Sequence, residues 1–172
     1  MGRSDGVVMS TRRFLAIIAA IVALDQLTKV VAVDRLSPAY VPHPVLGEWV
    51  RLTLVYNQGA AFGLHLGPWS RWIFIALTVI AIVVMWQLYR ASPLSARWRA
   101  RALCLVTAGA IGNLVDRIRS GRGVVDFLDV GVAGGWRWPT FNVADMAVST
   151  GAVLLAIVLW REEEARVAAE RG

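Results

Sequence analysis

The stretch Trp69–Tyr89, WSRWIFIALTVIAIVVMWQLY, decides how this chain folds. Thr78 is its only central polar residue. About 20 such residues in a helix, rising 1.5 Å each, cross the roughly 30 Å hydrocarbon layer of a bilayer. Three further apolar blocks lie around it. Block 14–33 is broken only towards its far end, by Asp25, Gln26, Thr28 and Lys29; block 102–117 is shorter and ends in the polar run GNLVDR; block 141–160 carries Asn142 and Asp145 in its first turns and is apolar afterwards. The pattern predicts an all-α membrane protein of four transmembrane helices, with residues 1–172 forming one integral membrane domain.

The composition agrees. The 172 residues are 57% hydrophobic and 17% charged, against roughly 45–50% and about 25% in soluble domains. Such a chain is neither a water-soluble globule nor disordered. Its net charge of +6 would suggest nucleic-acid binding in a soluble protein. Here the basic residues flank apolar blocks, where they set orientation, so no nucleic-acid partner is expected. Ten arginines fall on the side of the two termini, among them Arg12, Arg13, Arg90, Arg97, Arg99 and Arg101, against seven on the other side. That excess predicts cytoplasmic termini. Asp25-Gln-Leu-Thr-Lys29 does not resemble a small-residue cleavage site, so the first block reads as a retained helix rather than a signal peptide. A single cysteine, Cys104, excludes an internal disulfide framework and a multi-cysteine metal site.

Two outer segments connect the spans. The alternation in Trp49-Val-Arg-Leu-Thr-Leu-Val-Tyr56 predicts a small extracytoplasmic β-rich segment between helices 1 and 2, lying on the membrane surface. The glycine-rich segment 118–139 predicts a loop between helices 3 and 4, with at most one short extended or helical piece. Trp49, Trp69, Trp136, Trp138 and Trp160 fall near expected interfaces, where amphipathic rings are favoured.

A carboxylate in hydrocarbon costs about 2.5–3.5 kcal/mol on insertion scales, so intramembrane acids are functional candidates. In the four-span topology the polar residues gather towards the outer face: Asp25 and Lys29, then Asn113, Asp116 and Arg117, then Asn142 and Asp145, with Asn57 and Asp126 beside them. Each group also has a structural reading. Asp25 and Lys29 are spaced i,i+4 and can neutralise each other; Asn113, Asp116 and Arg117 can cap and anchor a helix end; Asn57 can serve a turn. Asp145 has no basic residue within a helical turn, so its partner must come from another segment, and Asp126 offers a second carboxylate. Two close carboxylates share a proton, because both cannot ionise readily. That state suits peptide hydrolysis: the ionised member takes a proton from water while the protonated one polarises the scissile carbonyl. His43, His65 and Cys104 are isolated, and zinc, phosphate-loop and serine-nucleophile motifs are missing, so no metal and no cofactor are expected.

In this order, Asp25-Gln-Leu-Thr-Lys29, Asn57-Gln-Gly-Ala-Ala-Phe-Gly63, Gly112-Asn-Leu-Val-Asp-Arg117, Val124-Val-Asp-Phe127 and Phe141-Asn-Val-Ala-Asp145 resemble the lipoprotein signal peptidase (signal peptidase II) family of bacterial membrane aspartyl proteases. The likeness covers roughly Phe14 to Trp160. It implies a catalytic pair at Asp126 and Asp145. It implies that Asn57, Asn113, Arg117 and Asn142 shape the active site, supported by Asp25, Lys29 and Asp116. The implied reaction removes the signal peptide from a diacylglyceryl-modified prolipoprotein just before the lipid-modified cysteine. The implied setting is the bacterial inner membrane, with the site at its outer face, membrane phospholipid as neighbour and the protein a monomer. The rival reading is a small transporter or channel subunit using Asp145 as an ion or proton site. A transport path needs polar residues in both halves of the membrane, and the inner halves of the expected helices nearly lack them.

Overall fold

The computed structural model describes residues 9–59, 67–93 and 96–171. Four long helices run through it: α1 (Thr11–Arg35), α2 (Ser70–Ala91), α3 (Arg97–Arg119) and α4 (Val143–Arg171). Three helical segments, Thr11–Arg35, Gly67–Ala91 and Val143–Arg171, are long and apolar enough to cross a membrane. Helix α3 starts ahead of its apolar block, at Arg97, and α4 runs well past its own, to Arg171, because Arg, Glu and Ala continue a helix as readily as Leu does. Hydropathy marks the part of a helix facing lipid, not where the helix stops.

The third helix shows why. It is the most polar of the four and packs against α1, α2 and α4. Ala100, Ala102, Leu103, Cys104, Thr107, Ala108, Gly109, Gly112 and Asp116 are buried on it, whereas α2 buries only Ser70 and Tyr89. The other three helices cover much of α3, which relaxes the demand for apolar side chains and favours small ones. The approach to α4 is close. A Cβ on Gly109 would lie 2.2 Å from the Ala144 carbonyl oxygen, and one on Gly151 would lie 2.8 Å from the Val106 amide nitrogen. At one end of the bundle Phe14, Ile18, Tyr89, Leu103 and Cys104 form an apolar core, in which the Phe14 and Tyr89 rings stack at 3.9 Å.

At the other end sits a three-stranded antiparallel sheet in the order β1-β2-β3, made of β1 (Pro42–Leu46), β2 (Val50–Asn57) and β3 (Val124–Val130). The hairpin β1–β2 is the predicted β-rich segment, and Gly47 makes its turn at φ +52°. Prolines 42 and 44 occupy the edge strand, where lost backbone donors cost least. The segment between the third and fourth helices holds, within the expected loop, one short extended piece, β3, which pairs with β2 from Val50↔Val130 to Asn57↔Val124. That strand is short, and its partner lies some seventy residues earlier, so local pattern alone could not supply the pairing. Leu54 and Phe127 seat the sheet on Ala32 and Leu36 at the end of α1. Further along β3 Asp129 accepts hydrogen bonds from Arg51 (3.0 Å), Thr53 (2.9 Å) and Arg137 (2.5 Å). Burial pushes the Asp129 carboxyl up, but these donors outweigh it and hold it below the usual carboxylate range.

Candidate active site

The sheet and the helix ends meet around a cavity of about 1240 Å³, bordered by Asn57, Asn113, Arg117, Arg122, Asp126 and Asp145 among others. Asp126 is the third residue of β3. Side chains alternate along a strand, so Phe127 enters the apolar core under the sheet while Asp126 faces the cavity. Asp145 lies in the first turn of α4. It is the third helical residue, because Phe141 and Asn142 of the apolar block 141–160 precede the helix. Asn142 is the cap: its carbonyl accepts the Met146 N–H, its Oδ1 accepts the Asp145 N–H at 2.9 Å, and its own N–H donates to Asp145 Oδ2 at 3.1 Å. This reciprocal pair is a capping box, so the residue that anchors the helix start also fixes one carboxylate.

Side-chain amides link the two carboxylates. Asn142 Nδ2 donates to Asp126 Oδ1 at 2.7 Å and lies 3.1 Å from Asn113 Oδ1, and Asn113 Nδ2 donates to Asp145 Oδ1 at 2.8 Å. Asn57, the last residue of β2, donates to Asp126 Oδ2 at 3.1 Å while its Oδ1 accepts the Gly59 N–H at 3.0 Å. That second bond leaves only the amide nitrogen to face Asp126. Beneath them Lys29 Nζ lies 2.8 Å from Asp25, 2.9 Å from Asp116 and 3.0 Å from Asn113 Oδ1. Three donors on the ammonium meet three acceptors, which a buried charge requires. Arg117 donates to the Gly59 carbonyl at 3.1 Å and so ties α3 to the end of β2.

All nine predicted site residues are therefore brought together. Of the Asn57–Gly63 motif, residues 60–63 lie outside the described residues, as does His65. His43 sits in β1 and Cys104 in the α3 core, neither of them at the cavity. Other contributors had no role assigned from sequence. Gln26 donates to Asp116 Oδ1 (3.0 Å), the Gly112 carbonyl (3.2 Å) and Asp25 (3.2 Å). Arg71 caps the end of α3 through the Arg117 and Ile118 carbonyls, at 2.7 and 3.0 Å. Arg122 stacks over Tyr56 at 4.2 Å beside the cavity. The signal for Gln26 was present, as an amide in an apolar helix; those for Arg71 and Arg122 were hidden among interfacial arginines.

Asp126 is 2% exposed. Burial first, and then the negative charge of Asp145, push its carboxyl up to about 7, against the opposing pull of the Asn57 and Asn142 donors and the Lys29 charge. A carboxyl there holds its proton near neutrality while a neighbour is charged, the condition for paired acid and base work. Among the described residues no group of three or more His, Cys, Asp or Glu is arranged to hold a metal ion.

Long apolar helices enclosing a polar cavity with two linked carboxylates define a membrane-embedded enzyme. Comparison with known proteins gives its family. The family model for signal peptidase (SPase) II matches residues 17–161, a span that contains every site residue named above. A lipoprotein signal peptidase of Hydrogenovibrio crunogenus is 45% identical over 157 residues, covering 86% of this chain and 83% of its own; one of Burkholderia mallei is 42% identical over 144 residues, covering 83% and 84%. Two solved structures of bacterial membrane enzymes superpose with TM-scores of 0.79 and 0.75 at 27% and 28% identity, covering 89% and 87% of this chain and 90% and 93% of theirs. The chain belongs to the signal peptidase II family, and it is a bacterial membrane protease.

Proposed function

We propose that this protein is an aspartyl endopeptidase that removes the signal peptide from diacylglyceryl-modified prolipoproteins, cutting just before the lipid-modified cysteine, with Asp126 and Asp145 as the catalytic pair. The observation that carries this reading is that both carboxylates border one large cavity and are coupled through Asn113 and Asn142. In the resting pair Asp126 holds the proton. Asp145, at the positive end of α4 with two N–H donors on it, carries the charge. Asp145 takes a proton from a water whose oxygen bonds to the scissile carbonyl carbon, while Asp126 gives its proton to the carbonyl oxygen. Asp145 then passes its proton to the leaving nitrogen as the C–N bond breaks, and Asp126 recovers a proton from the new hydroxyl. The products are a signal peptide ending in a carboxyl group and a lipid-bearing cysteine with a free amino group.

All four helices span the membrane in this account, with both termini cytoplasmic and the cavity at the outer face. The sheet and the site share one end of the bundle, and Arg12, Arg13, Arg90, Arg97, Arg99 and Arg101 lie in the terminal turns of α1, α2 and α3 at the other. The five tryptophans expected at interfaces are all exposed. Arg117 and Arg122 border the cavity as hydrogen-bond donors for substrate carbonyls or neighbouring lipid phosphates. Every member of the acid pair and its amide partners comes from one chain, so a monomer suffices. The test is to reconstitute the protein with one precursor in two forms, with and without the diacylglyceryl group, and to sequence the product. Cleavage of the modified form alone, leaving the lipid-modified cysteine at the new N-terminus, supports the reading; equal cleavage of both forms, or cleavage elsewhere, contradicts it.

A further inference from the structure

We infer that Lys29 is a positioning residue for the acid pair, a single ammonium that sets where both aspartates stand. The inference rests on the dyad reading above. It follows from what each of the three Lys29 acceptors does with its remaining contacts. Asp25, held at 2.8 Å by one oxygen, accepts with the other the backbone N–H of Ala144 at 2.9 Å, the residue before Asp145. Asp116, held at 2.9 Å, accepts with the same oxygen the backbone N–H of Val125 at 3.1 Å, the residue before Asp126. Asn113 accepts from Lys29 with its oxygen at 3.0 Å, so its nitrogen must face Asp145, to which it donates at 2.8 Å. Each acceptor thus passes the position of one ammonium to the backbone or the carboxylate of a proposed catalytic residue.

The arrangement is deeper than a neutralising pair needs. Lys29 and Asp25 alone would satisfy the i,i+4 reading. Instead the ammonium, 3% exposed, is shared between acids of α1 and α3 and an amide of α3, and those acids reach β3 and α4. Lys29 polarises the site as well as spacing it. It is only a donor, so it dictates which end of the Asn113 amide points at Asp145. The charged and polar groups around Asp126 are Asp145 and Asn142 at the start of α4, Asn57 of β2, Lys29 of α1 with Asp25 beside it, Asp116 and Arg117 of α3, and Arg122 across the cavity. Within that set Lys29 is among the groups holding the Asp126 carboxyl down.

The experiment compares Lys29→Met, Lys29→Arg and the paired change Asp25→Asn with Lys29→Met. The pair removes one buried charge of each sign and leaves the Ala144 N–H an acceptor, which protects folding if Lys29→Met alone does not fold. Steady-state kinetics on a diacylglyceryl-modified precursor are measured across pH 5–9, with Asp126→Asn and Asp145→Asn alongside. A displacement of about 1 Å costs on the order of 100-fold. Loss of the ammonium is therefore expected to lower kcat about 30- to 100-fold with KM changed less than threefold, and to move the alkaline limb of the pH profile upward. Lys29→Arg, which keeps the charge, is expected to keep the wild-type limb. A folded Lys29→Met or paired variant with wild-type kcat, or with an unmoved alkaline limb, overturns the inference. Full activity in Asp126→Asn or Asp145→Asn would instead overturn the dyad reading, so the two failures are distinct.

Discussion

At the scale of the residue, Asp126 carries the sharpest consequences. Its carboxyl is pushed up to about 7 by burial and by Asp145, and the proposed mechanism requires it to hold a proton that polarises the scissile carbonyl. On the dyad reading, kcat/KM is expected to fall about tenfold per pH unit above roughly pH 7, measured by initial rates in a constant-ionic-strength buffer series. The same shift sets a stability trend. The folded value lies above the ordinary one near 3.9, so the folded chain binds this proton more tightly. The resulting stabilisation is complete below about pH 4 and is lost as pH rises to about 7. Above that the protein carries a buried charge which Asp126→Asn removes while leaving an oxygen for Asn142. That variant is expected to melt above the wild type at pH 8, with the difference shrinking towards pH 4, as read by thermal unfolding in detergent. Residue by residue, the candidate site was legible because polar side chains are rare in apolar blocks and each is a visible cost. Asn113, Asn142, Asp25 and Lys29 stood out on that ground alone. Gln26 stood out equally but had no role, since two of its three acceptors, the Gly112 carbonyl and Asp116, appear only once α1 lies against α3.

At the scale of the element, the start of α4 does two things at once. Asn142 caps the helix and donates to Asp126. Removing an N-cap side chain costs about 1 kcal/mol. Asn142→Ala is therefore expected to lose about that much stability and at least tenfold in activity, a larger catalytic than thermal effect, checked by parallel melting and rate measurements. The α3–α4 crossing positions the same turn. Because a Cβ on Gly109 would overlap the Ala144 carbonyl oxygen, Gly109→Ala is expected to push the first turn of α4 away and to cost roughly 1–3 kcal/mol, as overpacking does. A sequence reading does not reach this level readily. The capping box could have been read from Asn142 and Asp145, three residues apart, but inside an apolar block they looked like early members of the span. The pairing of β3 was hidden for a different reason: its register is set by β2, which is far off in the chain.

At the scale of the whole molecule, the apolar blocks located the four long helices, and the alternation before Asn57 located the hairpin. Hydropathy undersold α3, because that helix lies among the other three and need not be apolar on every side. The order of the blocks carried the gathering of polar residues at one face; what it did not carry was the geometry by which α3, α4, β2 and β3 meet around one cavity. The proposed topology has a direct check. Reporter fusions after Arg171 are expected to be active only in the cytoplasm, and a cysteine at Trp136, exposed beside the sheet, is expected to react with an impermeant thiol reagent from the outside. The opposite labelling would invert the molecule. The central claim is that Asp126 and Asp145 perform the cleavage. Its most direct test is the single-turnover rate of the purified protein on a diacylglyceryl-modified prolipoprotein, with wild type, Asp126→Asn and Asp145→Asn in identical lipid. The account expects folded variants that bind substrate yet cleave at least about 1,000-fold more slowly, as loss of a unit acting together requires; wild-type cleavage by either variant would contradict it.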